Sequence, residues 1–452
     1  MTTEDSSVNC IHPVIYNGMC SECGAFVEPD HRYHKTRDIY VLSSVIDEED
    51  NGQFESFLTS RKQLALVVDL DKTVIDTIRV NNEEEAKRVI ALDKEHEDDF
   101  ILFTLSEMYL VRVRPFTAEF LKAISPYYFM QVYTLSQKAY ALKILEKIDP
   151  SGEFFNERLL SREDGDPNKK SMSNFFLSGQ HMAVVIDDTS DVWKNADDKV
   201  YKGLVQLEGF HYFTRTKEIN AHAWNDDTLK VMTEVLIKIH HDFYNIPYES
   251  AFTNLEDQLN SNQLNSNQNQ AKIAETVAIP IDRIKRAVFD GCYIYFCKFW
   301  NPEDTNQTNY YIRKVEEFGG HVLTEFLPYC THVVSSDPTH EVVKQAEEYK
   351  GIFIVNYSWF FRSFYRFQRQ SELAGRFEVK NGIESASLKT NGEKIRTEPP
   401  AEETGDETDD ILTLLDGIGE EEEEQNADSE DIDFLFASNH EEEEEEAQMN
   451  NQ

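Results

Sequence analysis

Asp69 and Asp71 follow the apolar run Leu64-Ala65-Leu66-Val67-Val68, and Thr73 comes two residues later. Two carboxylates so close can divide covalent and proton-transfer work, one attacking an electrophile while the other protonates the leaving group and then activates water. Farther on, Thr134 closes the run Tyr128–Tyr133, Lys170 follows Lys169, and Asp187-Asp188 close the run His181–Ile186. A hydroxyl and an ammonium group can hold phosphate oxygens, and clustered carboxylates hold Mg2+ together with water and phosphate. The set suits phosphoryl transfer through an aspartyl phosphate. Asp69 would be the nucleophile and Asp71 the acid and base. Thr73, Thr134 and Lys170 would hold the phosphate, with Asp69, Asp71, Asp187 and Asp188 around Mg2+. Singly these residues have ordinary meanings: an Asp pair at a strand end is commonly solvated, and a lone lysine usually lies at the surface. Their joint order carries the chemical reading.

The elements that must position them follow from hydrophobic patterning. A short unbroken Leu/Val run reads as a strand covered on both faces, as in a parallel sheet flanked by helices. In such sheets ligands sit beyond the carboxyl ends of the strands. Helical spacing of Phe116, Phe120, Leu121 and Ile124, and of Leu142, Leu145 and Ile148 before Asp149-Pro150, places helices between the strands. The alternation predicts an α/β fold of the Rossmann type. Residues 79–107 interrupt it as a charged insertion ending in a strand pair, too long for a simple loop and so a small subdomain or a moving cap.

Cys10, His12, Cys20 and Cys23 form a C-x-H-x7-C-x2-C pattern within residues 1–36. Thiolates and an imidazole at such spacing suit tetrahedral zinc; the other reading is a set of thiols in an irregular cap. Six cysteines, three of them in the first 23 residues, do not make a disulfide framework. Neither a secretory signal nor a membrane-spanning run is expected. Of the net charge of −40, 22 carboxylates lie after Pro400, where there is no Lys or Arg. Such charge argues against direct nucleic-acid binding. Residues 251–286 read as an Asn/Gln-rich linker, and 380–452 as a disordered acidic tail. Ile411–Leu415 and the cluster Phe434, Leu435 and Phe436 interrupt the acid and suit short amphipathic helices on a basic groove.

Asp69-Leu70-Asp71-Lys72-Thr73, Thr134, Lys170 and Asp187-Asp188 resemble the four motifs of the haloacid dehalogenase superfamily, in its D-x-D-x-T phosphatase branch. Val111–Pro115, Tyr133–Ser136, Ile148–Gly152, Leu160–Glu163 and Ile186 through Trp193 are similar to the TFIIF-associating phosphatases of the RNA polymerase II carboxy-terminal domain. That resemblance, over residues 60–215 of a domain set at 37–250, implies a magnesium-dependent protein serine/threonine phosphatase in the nucleus. It implies the phosphorylated heptad repeats as substrate and, as partner of the tail, the large TFIIF subunit. It adds Arg114 as a phosphate ligand and Asp149 and Arg162 as substrate-rim residues; a structural ion-pair set is the competing reading for these three. Two residues depart from the pattern: Phe116 stands where Arg-Pro is usually followed by Gly, and Lys72 follows Asp71.

Residues 287–379 resemble a BRCT domain, a small α/β module, through Phe318-Gly319-Gly320, Thr331–Val334 and Tyr357-Ser358-Trp359. Phe296-Cys297-Lys298 lacks the Ser/Thr-Gly of phosphate-binding members, so the expected role is a rigid flank for an extended substrate. Two other functions are compatible with the chain: a metabolite phosphatase of the same fold, and a scaffold without turnover.

Overall fold

The computed structural model describes residues 53–247, 274–297, 305–373 and 394–399, except 157, 175–178, 196–198, 215, 221, 222 and 224. It also describes residues 10, 12, 14–16, 18–21, 23–29, 33–36 and 39–42. The elements below all belong to one compact unit, Met1–Arg396.

The first four strands are β1 (Val14–Tyr16), β2 (Met19–Cys20), β3 (Tyr33–Thr36) and β4 (Ile39–Leu42), in the antiparallel order β2-β1-β4-β3. This corrects the expected boundary after residue 36, because β4 pairs with β1 and β3 rather than joining the catalytic domain. Strands of two to four residues offer too few alternations for periodicity to register.

Next come β5 (Leu64–Val68), β6 (Ile75–Val80), β7 (Phe100–Thr104), β8 (Met108–Val113), β9 (Tyr128–Tyr133), β10 (Leu159–Leu160), β11 (Ala183–Asp187) and β12 (Leu204–Gln206). The central sheet has the order β10-β9-β5-β11-β12, and every neighbouring pair is parallel. β5 lies at its centre with all five residues at 0 % exposure, which its unbroken apolar run requires. Helices Thr117–Ile124, Lys138–Ile148 and Thr228–Tyr244 contribute Phe120, Ile144 and Leu236 to the same core. Because β9, β5 and β11 run the same way, their carboxyl ends open at one edge of the sheet. Thr134, Asp69 and Asp187 are brought together by that geometry.

The insertion is a subdomain. β6, β8 and β7 form an antiparallel sheet in that order, joined to helix Glu83–Ile90, whose first turn is capped by the Asn82 side chain accepting from the Glu85 N–H. Val80, Val89, Leu110, Phe210 and Tyr212 make a small core of their own. Arg112 is sandwiched within it between Phe100 and Tyr212 and pairs with Asp99 at 3.0 Å.

The C-terminal module holds β13 (Tyr293–Phe296), β14 (His321–Val322), β15 (His332–Val334), β16 (Tyr349–Lys350), β17 (Phe353–Val355) and β18 (Lys394–Ile395). Its parallel sheet has the order β14-β13-β15-β17. Gly319 has φ +86°, and a Cβ there would collide with the Arg286 carbonyl, so the helix-to-strand turn admits only glycine. Trp359 is 1 % exposed and stacks on His332. The expected linker is shorter than its sequence suggests: Ala278–Arg286 is a helix that buries Pro280, Ile281 and Ile284. Val277 and Ala274 donate backbone hydrogen bonds to His181 and Phe243, and one hydrophobic core runs through the catalytic and C-terminal modules. The Asn/Gln-rich run and the tail clusters, including Phe434, Leu435 and Phe436, lie outside the described residues.

Candidate active site

Asp69 is the first residue beyond β5, and its N–H is held by the Ile186 carbonyl of β11. Lys170 Nζ donates to Asp69 Oδ1 at 2.5 Å and to Asp187 Oδ2 at 2.6 Å, and lies over the rings of Tyr133 and Trp193. Burial alone would lower the Lys170 ammonium, but the charges of Asp187 and Asp69 outweigh it and push it up, so Lys170 stays a cation. Thr134 is 1 % exposed, and its hydroxyl oxygen accepts from the Ser136 N–H at 3.0 Å.

Oxygens of Asp69, Asp187 and Asp188 lie within 4.8 Å of one another. Burial raises the Asp69 carboxyl well above its ordinary range, against the pull of Lys170. Burial and the Asp187 charge push the Asp188 carboxyl up to about 7. Two buried carboxylates and the half-buried Asp188 facing one lysine are short of positive charge, which is the deficit a divalent cation meets. The donor set therefore fits Mg2+. Asp187 has little left to offer it: Oδ2 also accepts from Trp193 Nε1 at 2.8 Å, and Oδ1 accepts from the Thr189 N–H at 2.9 Å. Asp69 and Asp188 are the better ligands, with Asp187 holding Lys170 in place.

Asp71 sits apart from this cluster. Its Oδ2 accepts from Ser136 Oγ at 2.7 Å and its Oδ1 from the Tyr140 hydroxyl at 2.8 Å. This corrects the expectation of an Asp71 carboxylate on the metal and suits it to proton transfer. Ser136 and Tyr140 were not foreseen as site residues, although their i, i+4 spacing after Thr134 is the signal that could have found them.

Three further expectations are corrected. Arg114 was expected on the phosphate, but its side chain is fully buried. Nε and Nη2 fork onto Asp226 at 3.1 and 2.8 Å, while Nη1 and Nη2 reach the carbonyls of Thr73 and Glu208 at 2.9 Å. It braces the Asp69–Thr73 loop from behind. Thr73, at 0 % exposure, gives its hydroxyl oxygen to the Asp188 N–H at 3.2 Å and so ties two loops together. Asp149 Oδ2 accepts from the amides of Phe154 and Phe155, organising a turn instead of lining the rim. The polar atoms of Arg114 and Thr73 are taken up by internal partners, whereas Asp149 Oδ1 is buried without a hydrogen-bond partner. Arg162, by contrast, is exposed, and its Nε donates to the Leu135 carbonyl beside Thr134.

Lys72 (φ 60°) and Phe116 (φ 66°) both adopt the left-handed conformation. The turns survive without glycine, each at a cost of about 1 kcal/mol. Lys72 Nζ pairs with Asp76 at 2.5 Å and points away from the chemistry. Across the site, Tyr365 of the C-terminal module feels the charges of Glu208 and Asp188; burial chiefly, with Tyr310 adding, pushes its phenol well up. Arg366 of the same module forms an ion pair with Asp227.

A parallel sheet delivering this carboxylate–lysine set to its carboxyl edge has the α/β architecture of the haloacid dehalogenase type. Residues 64–243 match the NLI interacting factor-like phosphatase family model, and residues 285–364 match that of the BRCA1 C-terminus (BRCT) domain. It is 26 % identical over 373 residues to an RNA polymerase II C-terminal domain phosphatase of Caenorhabditis elegans, covering 77 % of this chain and 53 % of that one. It is 24 % identical over 392 residues to RNA polymerase II C-terminal domain phosphatase-like 4 of Arabidopsis thaliana, covering 81 % and 82 %. A solved structure of Fcp1, an essential RNA polymerase II CTD phosphatase, aligns with a TM-score of 0.55 and 25 % identity over 71 % of this chain and 98 % of that one. The chain thus spans about half the length of the worm relative.

Proposed function

We propose that this protein is a Mg2+-dependent protein serine/threonine phosphatase acting on the phosphorylated heptad repeats of RNA polymerase II. Asp69 attacks the phosphorus of a phosphoserine; a bond forms to its carboxylate oxygen as the serine oxygen departs. Asp71 gives that oxygen a proton, then accepts one from the water that attacks the phosphoryl group on Asp69, releasing phosphate. Thr134 and Lys170 hold the phosphate oxygens. Bound Mg2+ would neutralise the charge shared by carboxylate and phosphate. The observation that carries this reading is the convergence of Asp69, Lys170, Asp187 and Asp188 at one sheet edge, with Asp71 two residues beyond Asp69. With so acidic a chain, attraction to an anionic peptide must be local, from the cation, Lys170 and the rim residue Arg162. Such an enzyme works where polymerase II does, in the nucleus; no helix among the described residues is long and apolar enough to cross a membrane.

Heptad peptides phosphorylated at different serines should release phosphate only with Mg2+. Because the metal-free Asp188 carboxyl is raised to about 7, protons compete with the cation, and apparent Mg2+ affinity should fall roughly tenfold from pH 8 to pH 6. Absence of heptad turnover at saturating Mg2+ would overturn the assignment.

The same reading takes the tail cluster Phe434, Leu435 and Phe436 as the contact for the basic winged-helix domain of the large TFIIF subunit. Changing all three to Ala should abolish that binding in titration calorimetry; unchanged affinity sinks the idea. Zinc at Cys10, His12, Cys20 and Cys23 is the second cofactor of this reading.

A further inference from the structure

We infer that the Cys/His zinc site, taken over from the reading above, is closed and structural, and that the ion makes folding of the N-terminal sheet possible. Ligand atoms of Cys10, His12, Cys20 and Cys23 all lie within 4.8 Å of one another. Cys10 Sγ and Cys20 Sγ are 3.7 Å apart. A disulfide needs about 2.05 Å, whereas two thiolates on tetrahedral zinc, each at about 2.3 Å, are separated by about 3.8 Å. Cys23 Sγ and His12 Nδ1 approach to 3.2 Å, closing the opposite edge of the same small shell. The His12 N–H donates to Cys10 Sγ at 3.4 Å, the kind of outer hydrogen bond that steadies a thiolate ligand.

The backbone is shaped for the same purpose. Gly24 takes φ +71° directly after Cys23, and its N–H donates to the Cys20 carbonyl at 2.9 Å while the Cys20 N–H donates to Ala25. This tight turn aims both cysteines of the C-x2-C pair inward. Four protein ligands leave no open coordination position, so the site is structural and takes no part in hydrolysis.

Among residues 10–29 whose burial is described, only Ile15 and Cys20 are buried apolar side chains. So little apolar burial around the ligands is where metal binding supplies folding free energy. β3 of this sheet packs against the Met172–Asn174 turn, two residues past Lys170, so the zinc-held module backs the segment that carries the catalytic lysine.

The test uses the full chain expressed with added zinc. Elemental analysis should find about one zinc per chain, and cobalt exchanged into the site should give the intense visible bands of a tetrahedral thiolate complex. C20S/C23S should lack the metal and be cleaved by protease within residues 10–42, while the fragment beginning near residue 53 stays intact. His12→Cys, which offers a four-thiolate set, should keep both metal and protection, separating loss of ligand from general damage. A full chain without zinc that takes up no cobalt, or a double variant that retains metal and protection, would overturn the inference.

Discussion

Asp69→Asn should reduce kcat by on the order of 10^4–10^6-fold, the scale on which enzymes lose activity when a covalent nucleophile is removed. The amide keeps the shape of the carboxylate but is no nucleophile toward phosphorus. One of the two anions that hold Lys170 is lost, yet Asp187 remains 2.6 Å away, so the lysine stays placed and the fold should be unaffected. Rapid quench with radiolabelled phosphopeptide should trap a phosphoenzyme in the parent protein and none in the variant. Full activity in the variant would remove Asp69 from its role, and retained trapping would move the covalent step to another residue.

Arg114→Ala should act on stability rather than on substrate binding. The guanidinium is buried and fully engaged, so its loss strands the half-buried Asp226 and two carbonyls; breaking such a pair costs about 3 kcal/mol, the low end for buried pairs. The urea midpoint should fall accordingly, while KM measured under folding conditions stays near that of the parent. An increase in KM without loss of stability would return Arg114 to the phosphate. Acid dependence adds a check on sign. Burial would raise the Asp226 carboxyl, but Arg114 outweighs it and holds the group below the usual carboxylate range. A depressed carboxylate stabilises the fold above its unfolded value of about 3.9, and that contribution is lost as pH falls through the lower folded value. The parent should therefore lose part of its advantage over Arg114→Ala in strong acid.

Much of this site was legible because its chemistry sits at the ends of strands with unbroken apolar runs. Leu64–Val68 announces a buried parallel strand, and the position of Asp69 follows from it. Partners of buried polar groups were not legible. Arg114 and Asp226 are 112 residues apart, and nothing local to either shows that the second will consume the first. Thr73 and Asp149 illustrate the same limit, since in each the nearest donor decides what the side chain is for. The N-terminal sheet was missed for a different reason, since its strands of two to four residues are too short for hydrophobic periodicity to register. Cys10, His12, Cys20 and Cys23 were nonetheless visible as a set, and the structure brings their side chains within 4.8 Å of one another.

The core shared by the catalytic and BRCT modules has a consequence for any attempt to treat them as interchangeable parts. Phe289, Trp359 and Phe360 belong to the same apolar cluster as Leu229 and Leu236 of the catalytic domain. A catalytic fragment ending near residue 250 would expose that seam to solvent and tend to self-associate. Grafting another BRCT module onto it would fail unless the seam were transplanted as well. The link runs through the Ala278–Arg286 helix, which packs on the Thr228–Tyr244 helix on one side and on the Thr305–Glu317 helix on the other, so a change in its apolar face would be felt in both modules.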